Sequence, residues 1–246
     1  VAHSHFEVIG GGLVTAAGVK NVEIEIAGAK LLADHGGALW WADERLLAVA
    51  DLHLEKGSSY AARTGQMLPP YDTHATLKRL TELTARYAPK TIVCLGDNFH
   101  DGEGPARLDA ESRRAITDLM RGRRFVWIEG NHDAAAALAL GGECAPEVEV
   151  GPLVFRHEPT RGTAKAGELS GHLHPVARVA TRVRRLRRRC FVSDGVRCVL
   201  PAFGAFTGGL DVFDAAFVGL FPRGFAAYLL GRERVYAFTH ARLAAE

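Results

Sequence analysis

The sequence predicts an α/β fold with its chemistry at strand ends, and three observations carry that prediction. Short apolar runs recur along the 246 residues, and most of them end in a cluster of polar or ionisable side chains. Between the runs lie two segments whose apolar residues repeat at helical spacing. Strand, polar cluster, helix, strand, polar cluster is the order of an α/β domain, where ligands gather at the carboxyl ends of strands because the loops converge there.

The elements follow in order. VEIEIAG (22–28) alternates like a half-buried strand, and ALWWAD (38–43) and RLLAVA (45–50) follow within hairpin distance. RLLAVA runs straight into Asp51-Leu52-His53. Residues 71–87 place Leu77, Leu80, Leu83 and Tyr87 on one helical face, with Asp72 or Thr73 as N-cap and Pro89 as the stop. TIVCL (91–95) is a buried strand leading into Gly96-Asp97. Residues 109–121 form a second helix opened by Asp109. RFVWIE (124–129) leads into Gly130-Asn131-His132-Asp133, PLVFRH (152–157) is a fourth buried strand, and GELSGHLH (167–174) a fifth. Of the adjacent Trp40 and Trp41, one must point away from the core, where packing beneath a helix is the expectation and stacking on a base the alternative.

Bulk properties narrow the class. A chain with 48% hydrophobic and 24% charged residues suits a single globular domain over 1–246. No apolar run reaches the roughly 18 residues of a membrane span, and VAHSHFEVIGGG does not read as a signal peptide. Cys94, Cys144, Cys190 and Cys198 form no CxxC pair, which argues against a zinc knuckle or a disulfide framework. A cytoplasmic protein without membrane association is expected. The net charge of +2 hides an asymmetry: residues 176–189 hold seven arginines and no acid, so the rest of the chain carries 23 bases against 28 acids. A concentrated basic strip on an acidic body points to a polyanionic partner.

Five clusters carry chemistry: Asp51 and His53; Asp97 with His100; Asn131 with His132; His157; and His172 with His174. They offer oxygen and imidazole nitrogen but no thiolate, a donor set that suits Mn²⁺, Fe²⁺ or Zn²⁺. The DxH and HxH spacings place both side chains of a pair on one face if the segment is extended. Glycines before Asp97, Asn131 and His172 permit tight turns beneath a cation.

The order D-x-H, G-D-x-x-H, G-N-H-D, H, G-H-x-H resembles the calcineurin-like metallophosphoesterase superfamily over residues 46–175. Segments 50–73, 155–160, 171–178 and 190–212 are similar to the ligase-associated DNA damage response endonucleases of bacteria. The resemblance implies a four-layer α/β/β/α sandwich, with a motif core over 46–175, the basic strip at 176–189 and a completing segment at 190–246. It implies one divalent metal, most often Mn, held by Asp51, His53 and His174 and a second by Asn131, His157 and His172, with Asp97 bridging. His157 lies only fifteen residues before His172 and carries no flanking glycine pair, a minor departure.

Such a centre would activate water for in-line attack on a phosphodiester. The resemblance gives His132 the role of protonating the leaving alkoxide. His100 stands where phosphoprotein phosphatases of the superfamily carry aspartate, and matches the G-D-x-F-H pattern of a nuclease branch. The residues leave open whether it works on the leaving group, grips the phosphate or is a surface histidine. Single-stranded DNA is the implied substrate, and bacterial DNA repair the implied setting, with functional association with a repair ligase and helicase. Arg178, Arg184, Arg185, Arg187 and Arg188, with Lys56 and Arg63 in the loop after His53, are the candidate contacts to its backbone. The alternatives are a phosphodiesterase of cyclic or other small nucleotides, a phosphoprotein phosphatase, and an inactive scaffold. The presence of every candidate ligand and of His132 speaks against the scaffold.

Overall fold

The computed structural model describes residues 21–64, 71–131, 137–162, 165–180 and 184–244. His132 and Arg182 lie outside the described residues, as do His3 and His5, and Arg63 is described by its backbone alone.

Two sheets face each other. Among the described residues the first has seven strands: β1 (Val22–Ile26), β2 (Ala29–Ala33), β3 (Leu39–Trp41), β4 (Leu46–Val49), β5 (Thr91–Leu95), β6 (Arg124–Ile128) and β7 (Glu143–Ala145), adjacent in that order. It begins as an antiparallel meander and becomes parallel from β4 onward. The second sheet contains β8 (Glu147–Val150), β9 (Leu153–Arg156), β10 (Glu168–Ser170), β11 (Val176–Ala180), β12 (Arg185–Ser193), β13 (Arg197–Val199), β14 (Ala226–Leu230) and β15 (Val235–Thr239). Its order is β15-β14-β12-β13-β10-β9-β8, with β11 paired to the first half of β12.

The alternation of each strand distributes its side chains between layers. Leu46, Ala48, Val93, Leu95, Val126 and Ile128 of the first sheet meet Leu153, Phe155, Leu169, Phe191 and Leu200 in the core between the sheets. The intervening Leu47, Val49, Ile92, Cys94, Phe125 and Trp127 point the other way, to helices α2 (Asp72–Tyr87) and α4 (Ala110–Met120) through Leu77, Leu80, Leu83, Ile116 and Leu119. The outer face of the second sheet is covered by Val212, Phe217, Leu220 and Phe221, on a 3-10 turn and its flanking loops. The expected mixed sandwich is thus observed, with a thin fourth layer. Trp41 is buried between the sheets, whereas Trp40 stacks on Tyr87 of α2 at 5.1 Å, so it packs beneath a helix.

Three local expectations are corrected. Asp72 does not cap α2: Tyr71 occupies the N-cap with no side-chain bond, while the Asp72 carboxylate accepts from the Gly57 amide at 3.0 Å. That bond secures the start of a short helix, α1 (Lys56–Thr64), so Lys56 and Arg63 stand on a helix rather than in a loop. The fifth strand ends at Ser170, and 171–174 is irregular. Asp109 does cap α4, accepting from the Ser112 amide at 2.7 Å. A further short helix, α3 (Gly104–Arg107), lies between β5 and α4.

Candidate metal centre

Strands β4, β5 and β6 are parallel, as are β9 and β10, so their carboxyl ends open on common rims. Asp51, Asp97, Asn131, His157 and His172 follow those ends directly or within two or three residues. Backbone bonds then tie the rims together. The His53 amide donates to the Asp97 carbonyl at 2.9 Å, and the His100 amide to the Leu54 carbonyl at 2.9 Å. The Gly204 amide donates to the Asp51 carbonyl at 3.0 Å, linking the last strands of the second sheet to the first.

Each carboxylate is fixed by the backbone of another cluster. Both oxygens of Asp51 accept from the His172 amide, at 3.1 and 3.0 Å, and Asp97 Oδ1 accepts from the Asn131 amide at 3.0 Å. The preceding glycines exist for close approach. A Cβ on Gly130 would run into the backbone of Asp97, and one on Gly171 into the Asp51 carboxylate.

The local backbone differs from the expected extended form. Asp51, His53, Asp97, His172 and His174 all have left-handed φ, between 43° and 69°. They make up half of the ten non-glycine residues with positive φ among the described residues. Each such residue costs of order 1–3 kcal/mol, which persists only where the surroundings over-determine it. The DxH and HxH pairs therefore converge by a repeated left-handed twist, not by the pleat of a strand.

Two donor groups result: Asp51, His53 and His174; and Asp97, His157 and His172. In the first, His53 Nε2 and His174 Nε2 are 3.2 Å apart, and His174 Nε2 is 3.3 Å from Asp51 Oδ1. In the second, His172 Nδ1 and His157 Nε2 are 3.1 Å apart, and His157 Nε2 is 3.4 Å from Asp97 Oδ1. Ligands about 2.1 Å from one cation and about 100° apart would be separated by about 3.2 Å. These spacings thus fit the edges of coordination polyhedra. Asp97 joins the groups, since its other oxygen, Oδ2, lies 3.9 Å from His53 Nε2.

Supporting bonds set which atoms face inward. His157 Nδ1 lies 2.9 Å from the Leu95 carbonyl; donation there leaves Nε2 as the unprotonated donor. Burial, reinforced by His157, lowers the pKa of His172 and favours its neutral, ligating form. Asn131 donates through Nδ2 to Glu158 at 2.8 Å, leaving its amide oxygen available to a cation. That bond, opposed by burial, holds the Glu158 carboxyl below its usual range. Glu158 is a site residue that the sequence reading misses, and its only signal is its place beside His157 in FRHEP.

His100 lies next to the first group, its ring 5.9 Å from that of His53 and 6.2 Å from that of Tyr60. The following residue, Asp101, accepts from Ser59 and Arg107 at 2.5 and 2.7 Å. Burial would raise its carboxyl, but these partners hold it down at about 2.

The arginine strip is a hairpin of β11 and β12, with Arg178 opposite Arg187 and Ala177 opposite Arg188. Its charges are unequally committed. Arg178 pairs with Asp211 at 2.7 Å, and Arg187 donates to the Gly209 carbonyl at 2.6 Å. Arg189 is half-buried, donates to the Ala202 carbonyl at 2.8 Å, and has its pKa lowered by desolvation. Arg184 and Arg185 are exposed at the tip, and Arg188 is exposed nearer the base. Lys56 donates to the Phe206 carbonyl at 3.2 Å. Cys94, Cys190 and Cys198 are buried free thiols, Cys144 is half-buried, and no described helix is long and apolar enough to cross a membrane.

A family model for the calcineurin-like phosphoesterases matches residues 44–182. Among solved structures, the crystal structure of the Pseudomonas putida nuclease MPE is 33% identical, with a TM-score of 0.67, over 89% of this chain and 100% of that one. Yfce, a phosphoesterase from E. coli, is 15% identical over 77% of this chain and 95% of its own, at a TM-score of 0.41 that carries no further argument. A comparison with the curated proteins finds no match. With the motif region matched from before Asp51 to beyond His174, and two donor groups side by side, the chain belongs to the calcineurin-like phosphoesterase family of dimetal hydrolases.

Proposed function

We propose that this protein is a Mn²⁺-dependent phosphodiesterase that cuts single-stranded DNA internally, in bacterial DNA repair. The observation that carries the reading is the pair of adjacent donor groups, in a chain similar over 89% of its length to a nuclease. Asp51, His53 and His174 would hold one ion and Asn131, His157 and His172 the other, with Asp97 bridging them. Bound there, the two ions supply an activated water and neutralise the charge that builds on phosphorus.

The chain's own residues do the rest. Glu158 turns the Asn131 amide so that its oxygen serves as donor. His132 gives a proton to the leaving alkoxide, which is too basic to depart unaided. His100, beside His53, grips the scissile phosphate or assists that transfer. Exposed Arg184, Arg185 and Arg188 supply the sequence-independent attraction for the strand.

The test is cleavage of a circular single-stranded DNA by metal-stripped protein with Mn²⁺ restored, beside a nitrophenyl diester and a nitrophenyl monoester. Linearisation of the circle together with diester turnover is the expected result. Turnover of the small esters with an intact circle would move the activity to small nucleotides or phosphoproteins. Association with a repair ligase or helicase is part of the same proposal, tested by co-purification from cells.

A further inference from the structure

Between β13 and the residues beside β11 runs a loop whose two feet stand on the first donor group. At one foot the Gly204 amide donates to the Asp51 carbonyl at 3.0 Å. At the other, Gly209 lies so close to His174 that a Cβ would strike its carbonyl. The apex between them is Phe206.

Phe206 is unusual on two independent counts. Its side chain is 58% exposed, although a phenyl ring gains by burial. Its backbone has φ of 59°, a conformation in which a bulky side chain is a clear outlier. Lone exposed apolar residues are ordinary. One held in a strained conformation, on a loop anchored at both ends to candidate ligands, is not accounted for by packing.

Its surroundings define what it would bind. Lys56 donates to the Phe206 carbonyl at 3.2 Å, and Arg187 to the Gly209 carbonyl at 2.6 Å. Two cations thus hold carbonyls of the loop that carries the ring, each retaining further N–H donors. A flat apolar face on a loop held by cations matches one class of ligand well: an unpaired base flanked by backbone phosphates. A paired base inside a duplex does not present its face and fits poorly.

We propose that Phe206 is a stacking platform for an unpaired base of the strand whose phosphate lies at the metal centre. The inference rests on the nuclease reading above. It adds that selection of single strands resides in this loop, through the exposed face of a base, rather than in the metal ligands.

The test uses the Mn²⁺-loaded protein and two variants. Phe206→Leu keeps an apolar side chain of similar bulk and the same backbone demand, but loses the ring; Phe206→Trp keeps the ring. KM is measured for single-stranded DNA and for a nitrophenyl diester, and quenching of a 2-aminopurine strand is followed on mixing, before turnover. The wild type and Phe206→Trp should quench. Phe206→Leu should lose the quench, and its KM for single strands should rise roughly 5- to 100-fold, with diester turnover unchanged within about twofold. An abasic strand should bind the wild type as weakly as an intact strand binds Phe206→Leu.

Equal KM for single strands in Phe206→Leu and wild type would overturn the proposal. Parallel loss on strand and diester would overturn it too, because the ring would then serve the metal loop. Quenching by a wild type that cuts nothing leaves the platform standing and removes the nuclease reading. Cutting that ignores Phe206 does the opposite.

Discussion

The metal rim and the arginine hairpin are both dense polar clusters that adjoin in sequence, yet the fold treats them in opposite ways. On the rim both candidate-ligand carboxylates and two of the imidazoles are buried: Asp51 is 0%, His157 4% and Asp97 5% exposed. Each of these carboxylates is held by the backbone of another cluster. In the hairpin committed and exposed charges are interleaved along a single ribbon. Arg189 at its base donates to main-chain carbonyls, whereas Arg185 and Arg188 reach solvent. Density of charge thus means preorganisation in one place and a reservoir of attraction in the other, and the difference lies in what the backbone does around it.

The largest effect that would test this contrast is on the rim. Asp97→Ala removes the one group shared by both donor sets, so turnover of DNA and of a nitrophenyl diester should fall together, by about 100- to 1000-fold or more. Activity retained on either substrate would remove the shared-carboxylate mechanism. Next comes the hairpin tip. Replacing Arg184 and Arg185 with glutamine should cut DNA cleavage at low salt about tenfold and flatten its log–log salt dependence by about 0.7 for each phosphate left unneutralised. The small diester should be unaffected, and a parallel loss there would make the tip structural.

The base of the hairpin should behave differently from the tip. Arg189→Gln is expected to lower Tm by about 5 °C while leaving the salt slope alone, since it removes buried charged hydrogen bonds and touches no phosphate. A changed slope without loss of stability would erase the distinction between Arg189 and the exposed arginines. The smallest effect concerns Asp101. Its carboxyl is held down at about 2 against 3.8, so its stabilisation is complete above pH about 4 and is lost as pH falls through about 2. Asp101→Asn should therefore lose a modest part of stability near pH 6 and show a shallower decline below pH 4, read by acid titration of circular dichroism.

What could be read in advance follows the same physics. Short continuous apolar runs, each ending in a polar cluster, mark strands buried on both faces, so β4, β5, β6 and β9 were legible, together with the residues at their ends. The helix Lys56–Thr64 was not, because KGSSYAART has no apolar stripe and its start is held by Asp72 from a later part of the chain. The left-handed backbone at His53 or His174 was equally hidden, since nothing but glycine announces it locally. Arg188 and Arg189 are identical letters in one run. Only the pairing of β12 with its neighbours sends one to solvent and the other under the loop at Ala202 and Gly204. Glu158 escaped because its use depends on the position of Asn131, fixed by a different strand.

The left-handed residues of the rim also bear on how this enzyme would respond to selection. Glycine at His53 or His174 would relieve backbone strain of order 1 kcal/mol and delete a ligand in the same step. A population screened for heat resistance alone would accordingly accumulate glycines at the sites that matter most and drift towards robust, inactive proteins. Thermostable variants that still work must come from the far side of the sheets, where hardness and catalysis do not compete for the same backbone.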